Sequence, residues 1–369
     1  MKILSIVWYK VLPPKFGGQK GIASFNNQLS RFFPLICLCS INNEPPDNLV
    51  YKTILKLPVS KWQFIDPYSW RTIRRVMREE NITHVIVEHP YYGLAASKAC
   101  KALNANLIIH SHNIESQRFR QLSKWWWSML KTYEKWVHRK ADFNLFKTHA
   151  DLEYAIREFG LQRSKCLVIP YGVENFTGQD HLEAQKDIRR LHEIPAEEKI
   201  ILFASTLDYL PNADAVGNIY REIAPRLIAE GIPFRILICG RLRNADFNYL
   251  YSYSHPNVQM VGEVEEIEPY FAAADLFINP VLTGAGIQTK TIDALAHHCN
   301  VVCFEGMVDN ELIGVSGGKL FLSRRDDWDD FIIQLKSGWD QELKTPIEFF
   351  NKYSWEKNVE KLATLIPSL

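Results

Sequence analysis

Along the whole chain, short runs of β-branched and other apolar residues alternate with stretches in which apolar residues recur at three- and four-residue spacing. This is the pattern of parallel βαβ units. Strands are predicted at Lys2–Trp8, His84–Glu88, Asn106–His110, Phe143–Lys147, Lys165–Ile169, Lys199–Ala204, Phe234–Cys239, Val258–Val261, Asp275–Asn279 and Asn300–Phe304. Helices are predicted between them at Ala23–Arg31, Trp70–Glu80, Ala95–Leu103, Lys124–Lys140, Ala150–Glu158, Ala213–Glu230, Glu265–Ala273 and Gln288–Ala296. A final helix covers Ile347–Leu365, with Phe350, Tyr353, Leu362 and Leu365 at helical spacing. The strands fall into two sets of similar size, separated by the polar, Pro- and Gly-bearing stretch from Pro170 to Gly178. The expected fold is therefore α/β, with two Rossmann-like doubly wound domains facing across a cleft. Ligands should sit in the loops that follow the strands.

Composition sharpens this picture at one place. The chain has 369 residues, 47% hydrophobic and 23% charged, which excludes a disordered or low-complexity protein. Its net charge of +1 hides a split. Residues 1–178 carry 25 Lys and Arg against 13 Asp and Glu, and the remainder carries 18 against 29. A basic half joined to an acidic half points to an anionic partner on one side. The sign changes at the predicted linker, so two unrelated criteria mark one boundary. The seven cysteines are scattered and mostly set in apolar runs, as expected of buried thiols in a reducing, cytoplasmic compartment. No apolar run reaches a membrane span of roughly 18 residues, and the first apolar run leads into Lys10, Pro13 and Pro14 rather than a cleavage site.

Five loops after strands carry candidate chemistry. Phe16-Gly-Gly-Gln-Lys-Gly-Ile opens a helix, where Gly17 and Gly18 let backbone approach a ligand and helix N–H groups favour an anion; it also reads as a plain turn. Ile109-His-Ser-His-Asn-Ile-Glu-Ser ends a strand. His110 and His112 share a side only if that strand continues, and either can bond a sugar hydroxyl or shuttle a proton. Local spacing supplies no third ligand for a metal. In Ala204-Ser-Thr-Leu-Asp-Tyr-Leu-Pro-Asn, Pro211 and Asn212 are turn and capping residues. Cys239-Gly-Arg offers Arg241 as a phosphate clamp. The longest, Asn279-Pro-Val-Leu-Thr-Gly-Ala-Gly-Ile-Gln-Thr-Lys-Thr-Ile-Asp, makes a small-residue turn at Gly284 and Gly286 and then opens a helix. Lys290 lies in its first turns, and Asp293 follows three residues later on the same side, suited to a ribose diol.

The early Gly-Gly loop, the H-N-x-E element from His112 to Glu115, P-x-G-V from Pro170 to Val173, Y-x-P-N-x-x-A from Tyr209 to Ala215, and Ala274-Asp-Leu-Phe-Ile-Asn-Pro followed by Gly284-Ala-Gly-Ile-Gln-Thr-Lys-Thr-Ile-Asp-Ala-Leu-Ala occur in this order. Together they resemble the retaining, GT-B-fold glycosyltransferases of group 1, the family 4 type, along essentially the whole chain. The resemblance implies an acceptor domain at 1–175, a nucleotide-sugar donor domain at 176–346, and a helix at 347–369 packing back on the first domain. It implies His112 and Lys290 as catalytic residues. Gly17, Gly18, Arg241, Gly284, Gly286, Gln288, Thr289, Lys290 and Asp293 would hold the donor, and Gln19, Lys20 and Asn113 the acceptor. The donor would be a UDP- or GDP-linked sugar, with no metal and no other cofactor. Two departures stand out. Many members carry a Glu pair where this chain has the neighbourhood of Thr283 and Ala285, then Asp293; and the Arg and Lys common after the first donor-domain strand are replaced by Leu207-Asp-Tyr-Leu. An epimerase on the same fold and a catalytically silent subunit are the competing readings.

Arg71, Arg74, Arg75 and Arg78 recur at helical spacing, and Lys124, Lys131, Lys135, Arg139 and Lys140 surround Trp125-Trp-Trp and Trp136. This reads either as an interfacial patch for anionic lipid, with a lipid-linked glycan as acceptor, or as a helix whose Trp126, Met129, Leu130, Tyr133 and Val137 face the core. No nucleic-acid module accompanies the charge.

Overall fold

The computed structural model describes residues 1–15, 17–59, 69–174, 181–283, 289–339, 341 and 344–368. They divide into two compact units. Met1–Glu174 and Tyr353–Leu369 make the first, and the described residues between them make the second.

The first unit is built on strands β1 (Ile3–Val7), β2 (Leu35–Ser40), β3 (Lys52–Leu57), β4 (His84–Glu88), β5 (Asn106–Ser111), β6 (Phe143–Phe146) and β7 (Cys166–Val168), all parallel, in the order β3-β2-β1-β4-β5-β6-β7. Every residue of β1, β2 and β4 is buried. Helices cover both faces of a parallel sheet, so its inner strands read as unbroken apolar runs. The second unit has β8 (Lys199–Ala204), β9 (Phe234–Cys239), β10 (Val258–Gly262), β11 (Leu276–Asn279), β12 (Val301–Phe304) and β13 (Leu320–Ser323), parallel, in the order β10-β9-β8-β11-β12-β13. In each sheet the first strand is central and the chain reverses direction beside it, between β1 and β4 and between β8 and β11. This is the doubly wound arrangement, with the switch point where ligands bind.

All ten predicted strands form, with ends moved by a residue or so. Three strands had no prediction. β2 carries two cysteines in its apolar run, β3 is an edge strand whose residues but one are exposed or half-buried and carry little apolar pattern, and β13 is four residues long. Lys124–Lys140 is shorter than expected, because the chain turns through Trp126 and the helix starts at Trp127. Within the predicted Ala213–Glu230 the register widens to a π-helical segment at Ile219–Ile223, just ahead of Pro225, which has no N–H to donate.

The C-terminal helix is two helices, Ile347–Tyr353 and Trp355–Leu365, separated at Ser354, whose hydroxyl accepts the Lys357 N–H at 3.2 Å. Buried Phe349 and the 2.5 Å ion pair of Lys352 with Glu311 hold the earlier helix within the second unit, so the chain returns to the first unit at Tyr353 rather than at 347. Val173 donates its N–H to Tyr353 O at 2.6 Å, and Trp355, 2% exposed, packs on Tyr171 and Phe25. This explains the glycine of P-x-G-V. A Cβ on Gly172 would lie 2.4 Å from the Trp355 indole. Gly172→Ala is expected to destabilise the first unit by about 1–3 kcal/mol through overpacking, seen as a lowered melting temperature. Gly314→Ala, at a position with nothing within 4 Å, should leave melting unchanged or raised.

Candidate functional site

In the first unit the carboxyl ends of β4, β5 and β6 carry the ionisable residues Glu88, His110 and Lys147. Glu88 ends β4 and stands in register with His110 on β5. The strand does continue past His110, to Ser111, and both predicted histidines reach Glu88. His110 Nδ1 lies 2.9 Å from Oε2 and 3.1 Å from Oε1, and His112 Nε2 lies 2.6 Å from Oε2. The third group that local spacing lacks is thus supplied by the neighbouring strand. Glu88 and His110 are fully buried, and the His112 side chain is 12% exposed.

His89, in a left-handed conformation at φ 64°, stacks its ring on His112 at 4.4 Å and places Nδ1 2.9 Å from Glu115 Oε1. Arg118 donates to the other Glu115 oxygen at 2.9 Å. Burial opposes the Glu115 charge, but the hydrogen bond and charge of His89 and the charge of Arg118 outweigh it, and the pKa falls below the ordinary carboxylate value. Glu134, from the helix Trp127–Lys140, accepts the backbone N–H of Glu115 at 2.8 Å, that of Ser116 at 3.0 Å and the Ser116 hydroxyl at 2.6 Å. It caps the helix Glu115–Gln121, whose own preceding residue is Ile114. Burial pushes the Glu134 carboxyl up to about 8 against these donors.

Burial, with the positive charge of Lys147 and His89, holds His110 well below the usual histidine range; burial and then His89 do the same for His112, against the Glu88 hydrogen bond. Lys147, just past β6, is 5% exposed and lies over the Trp355 ring at 5.0 Å and the Phe25 ring at 5.7 Å. Among the described residues its ammonium has no hydrogen-bond partner, and burial lowers its pKa to about 7. Sequence reasoning missed Glu88 and Lys147. A carboxylate ending an apolar strand beside an H-x-H strand end was the available signal.

Of the predicted acceptor contacts, Gln19 is buried and committed to the loop after β1, with Oε1 accepting from Lys15 N at 2.8 Å and Nε2 donating to Lys10 O at 2.7 Å. That carboxamide ties the loop to its own helix. Lys20 is half-buried on the helix that Gly17 and Gly18 open. Asn113 keeps a buried side-chain oxygen with no partner among the described residues.

Gly284, Gly286 and Gln288 lie outside the described residues. Thr289 opens the helix Thr289–Ala296, which carries Lys290 and Asp293, both half-buried. Lys290 donates to Asn212 Oδ1 at 2.9 Å and lies 5.1 Å over the Phe203 ring; burial lowers its pKa to about 7. Asn212 is thus more than a capping residue. Arg241 lies 3.8 Å from Asp208, within the segment that replaces the expected basic residues. A Cβ on Gly240 would lie 1.7 Å from Ser205 O, so only glycine lets the ends of β8 and β9 close together beside Arg241.

The Glycosyltransferase Family 4 description matches residues 31–175, and the Glycosyl transferases group 1 description matches residues 198–338. The chain belongs to the group 1 glycosyltransferases of GT-B fold. Solved structures agree on the fold over the full length. Sucrose-phosphate synthase from Thermosynechococcus elongatus is 14% identical, with a TM-score of 0.79 and coverage of 100% of this chain and 99% of that one. Anabaena HepE in complex with UDP and glucose is 12% identical, with a TM-score of 0.75 and full coverage of both chains. The lipopolysaccharide outer core galactosyltransferase WaaB is 14% identical, with a TM-score of 0.66 and coverage of 100% and 99%. No curated relative matches the sequence.

The depressed histidines predict that this glycosyltransferase loses stability in acid. His110, His112 and His138, the last held at about 4 chiefly by burial, bind protons more weakly folded than unfolded, where the ordinary value is 6.5. Their contribution to stability is complete above that value and is lost progressively as pH falls from it toward the folded-state values, about 4 for His138 and well below 6.5 for His110 and His112. Thermal melts should show the melting temperature dropping as pH falls from about 6.5 to about 4; a level profile over that range would contradict this assignment.

Proposed function

We propose that this glycosyltransferase moves a sugar from a nucleoside diphosphate, UDP- or GDP-linked, to an acceptor hydroxyl with retention and without a metal ion, in the assembly of a polysaccharide or glycolipid. The observation that carries the donor half is Lys290. It is an ammonium at the start of a helix, bonded to a neutral amide and, among the described residues, paired with no carboxylate. A diphosphate supplies the counter-charge that burial withholds, and the helix N-terminus adds to it. In the transfer, the bond from the anomeric carbon to the diphosphate oxygen breaks as the acceptor oxygen bonds the same face. The acceptor proton passes to the departing phosphate oxygen. Lys290 stabilises the charge growing there, and Asp293 takes the ribose. The UDP held by HepE makes UDP-glucose the donor to test first.

A second reading, a silent subunit, rests on Arg241 facing Asp208, which places a carboxylate beside a would-be phosphate clamp. Calorimetry with UDP separates the two, since a silent subunit without a donor site binds none. An epimerase would convert donor alone.

Exposure supports the lipid-facing reading of the basic unit. Trp125 is 82% exposed and Met129 65%, and Trp136 continues their stripe with Lys124, Arg139 and Lys140 exposed around it. The core face of this helix is instead Leu130, Glu134, Val137 and His138. We propose that this stripe meets the anionic cytoplasmic face of a membrane, each basic residue near the surface contributing about 1 kcal/mol. No helix among the described residues is long and apolar enough to cross a membrane.

Lys290→Ala should lower kcat/KM on the order of a hundredfold, and UDP binding to the unmodified protein should take up protons and weaken as pH rises above about 7. Turnover equal to the parent enzyme would remove Lys290 from the reaction. In co-sedimentation, vesicles containing anionic lipid should carry the protein down and neutral vesicles should not, and a Trp125→Ser, Met129→Ser variant should stay in solution with its melting temperature unchanged. Equal binding to both vesicle types would contradict the electrostatic reading.

A further inference from the structure

The cluster around Glu88 decides more than the place of His112. Glu88 turns both carboxylate oxygens toward ring nitrogens and is itself fully buried, so its only nearby hydrogen-bond donors among the described residues are the two imidazoles. A carboxylate accepts and does not donate. A neutral imidazole has one N–H and one bare nitrogen, and the nitrogen facing the carboxylate must carry the proton.

We infer that Glu88 is a positioning residue that fixes the tautomer of His112: it accepts the Nε2–H of His112 and the Nδ1–H of His110, leaving His112 with a bare Nδ1 that serves only as a hydrogen-bond acceptor. Among the described residues nothing bonds that Nδ1. The ligand group that meets it must therefore be a donor. A phosphate oxygen would meet a lone pair, so the part of the ligand at His112 is an O–H or N–H group. On the sugar-transfer reading above, it is a hydroxyl of a sugar. His112 then recognises and orients, and does not act as a cationic acid.

The surroundings agree. Lys147, buried and without a hydrogen-bond partner among the described residues, supplies the positive charge that balances Glu88 from the end of β6. On the other side His89 stacks on the His112 ring and places Nδ1 2.9 Å from Glu115 Oε1, so a second carboxylate serves that imidazole. Burial and these charges disfavour protonating His112. The three facing atoms of Glu88, His110 and His112 lie within 4.8 Å of one another, a set that a divalent ion could also use. Ligands around a tetrahedral zinc at about 2.0–2.1 Å sit about 3.3 Å apart. The separations of 2.6 and 2.9 Å are instead those of hydrogen bonds carrying a proton.

The test is the nitrogen spectrum of the imidazoles in full-length protein labelled with 15N-histidine, with His112→Asn to assign the signal. The expected result is His112 protonated at Nε2, bare at Nδ1 and unchanged between about pH 6 and 8. Protonation at Nδ1, titration to the imidazolium in that range, or a shift of both ring signals on adding zinc alone would overturn the inference. Glu88→Gln places an amide against the two rings; His112 should then show mixed tautomers, and turnover of UDP-glucose should fall tenfold or more while calorimetric UDP affinity stays unchanged. Glu88→Asp should restore the single tautomer and part of the activity. Mixed tautomers with full turnover would overturn the positioning role. The expected tautomer in a protein that binds no UDP would uphold Glu88 and count against the donor reading instead.

Discussion

A parallel strand covered on both faces admits an ionisable side chain mainly near its ends, and this constraint organises the molecule; the interior polar positions hold small neutral groups such as Ser5 in β1 and Asn144 in β6. In β4 the residues before Glu88 are buried against helices on either side, and Glu88 is the first position at which a carboxylate can find donors. The same holds for His110 and Ser111 on β5, for Lys147 after β6, and in the second unit for Arg241 after β9 and Asn279 on β11. Because all strands of a sheet run one way, these ends gather on one edge. The chemistry of each unit is concentrated there by backbone geometry before any ligand is considered.

Concentrating charge in a buried place requires compensation, and the first unit shows how it is arranged. Glu88 is answered by two imidazole N–H groups and the Lys147 ammonium, Glu115 by His89 and Arg118, and Glu134 by the open end of a helix. Three carboxylates are thereby hidden from solvent. This bears on the charge split. Residues 1–178 have 13 acidic side chains, and these three do not reach the surface, so the solvent-facing part of that unit is more basic than its composition states. The exposed Trp125, Met129 and Trp136 stand amid that basic surface.

Much of the candidate site was legible. His112 and Lys290 were picked out by strand ends and helix starts, and both sit in polar clusters with perturbed protonation, as functional groups often do. The strands rich in β-branched residues were legible because burial on two faces leaves an unbroken apolar run. β3 was not, because an edge strand faces solvent and its Lys52-Thr-Ile-Leu-Lys-Leu has no such run. The structural bonds of Gln19 were not legible, because a polar residue beside a glycine loop looks the same in sequence whether it faces a ligand or ties its own backbone.

The sequence by itself determined the α/β class, the division near residue 175, the family and the loops that carry chemistry, since each depends on periodicity or on residues adjacent in the chain. Only the tertiary structure decided which distant residues meet. Glu88 and His112 are 24 residues apart, Lys290 and Asn212 are 78 apart, and Trp355 closes over Gly172 from the far end of the chain. Strand register and crossover direction bring these pairs together. Neither leaves a local mark in the sequence, because both are set by how whole sheets pack.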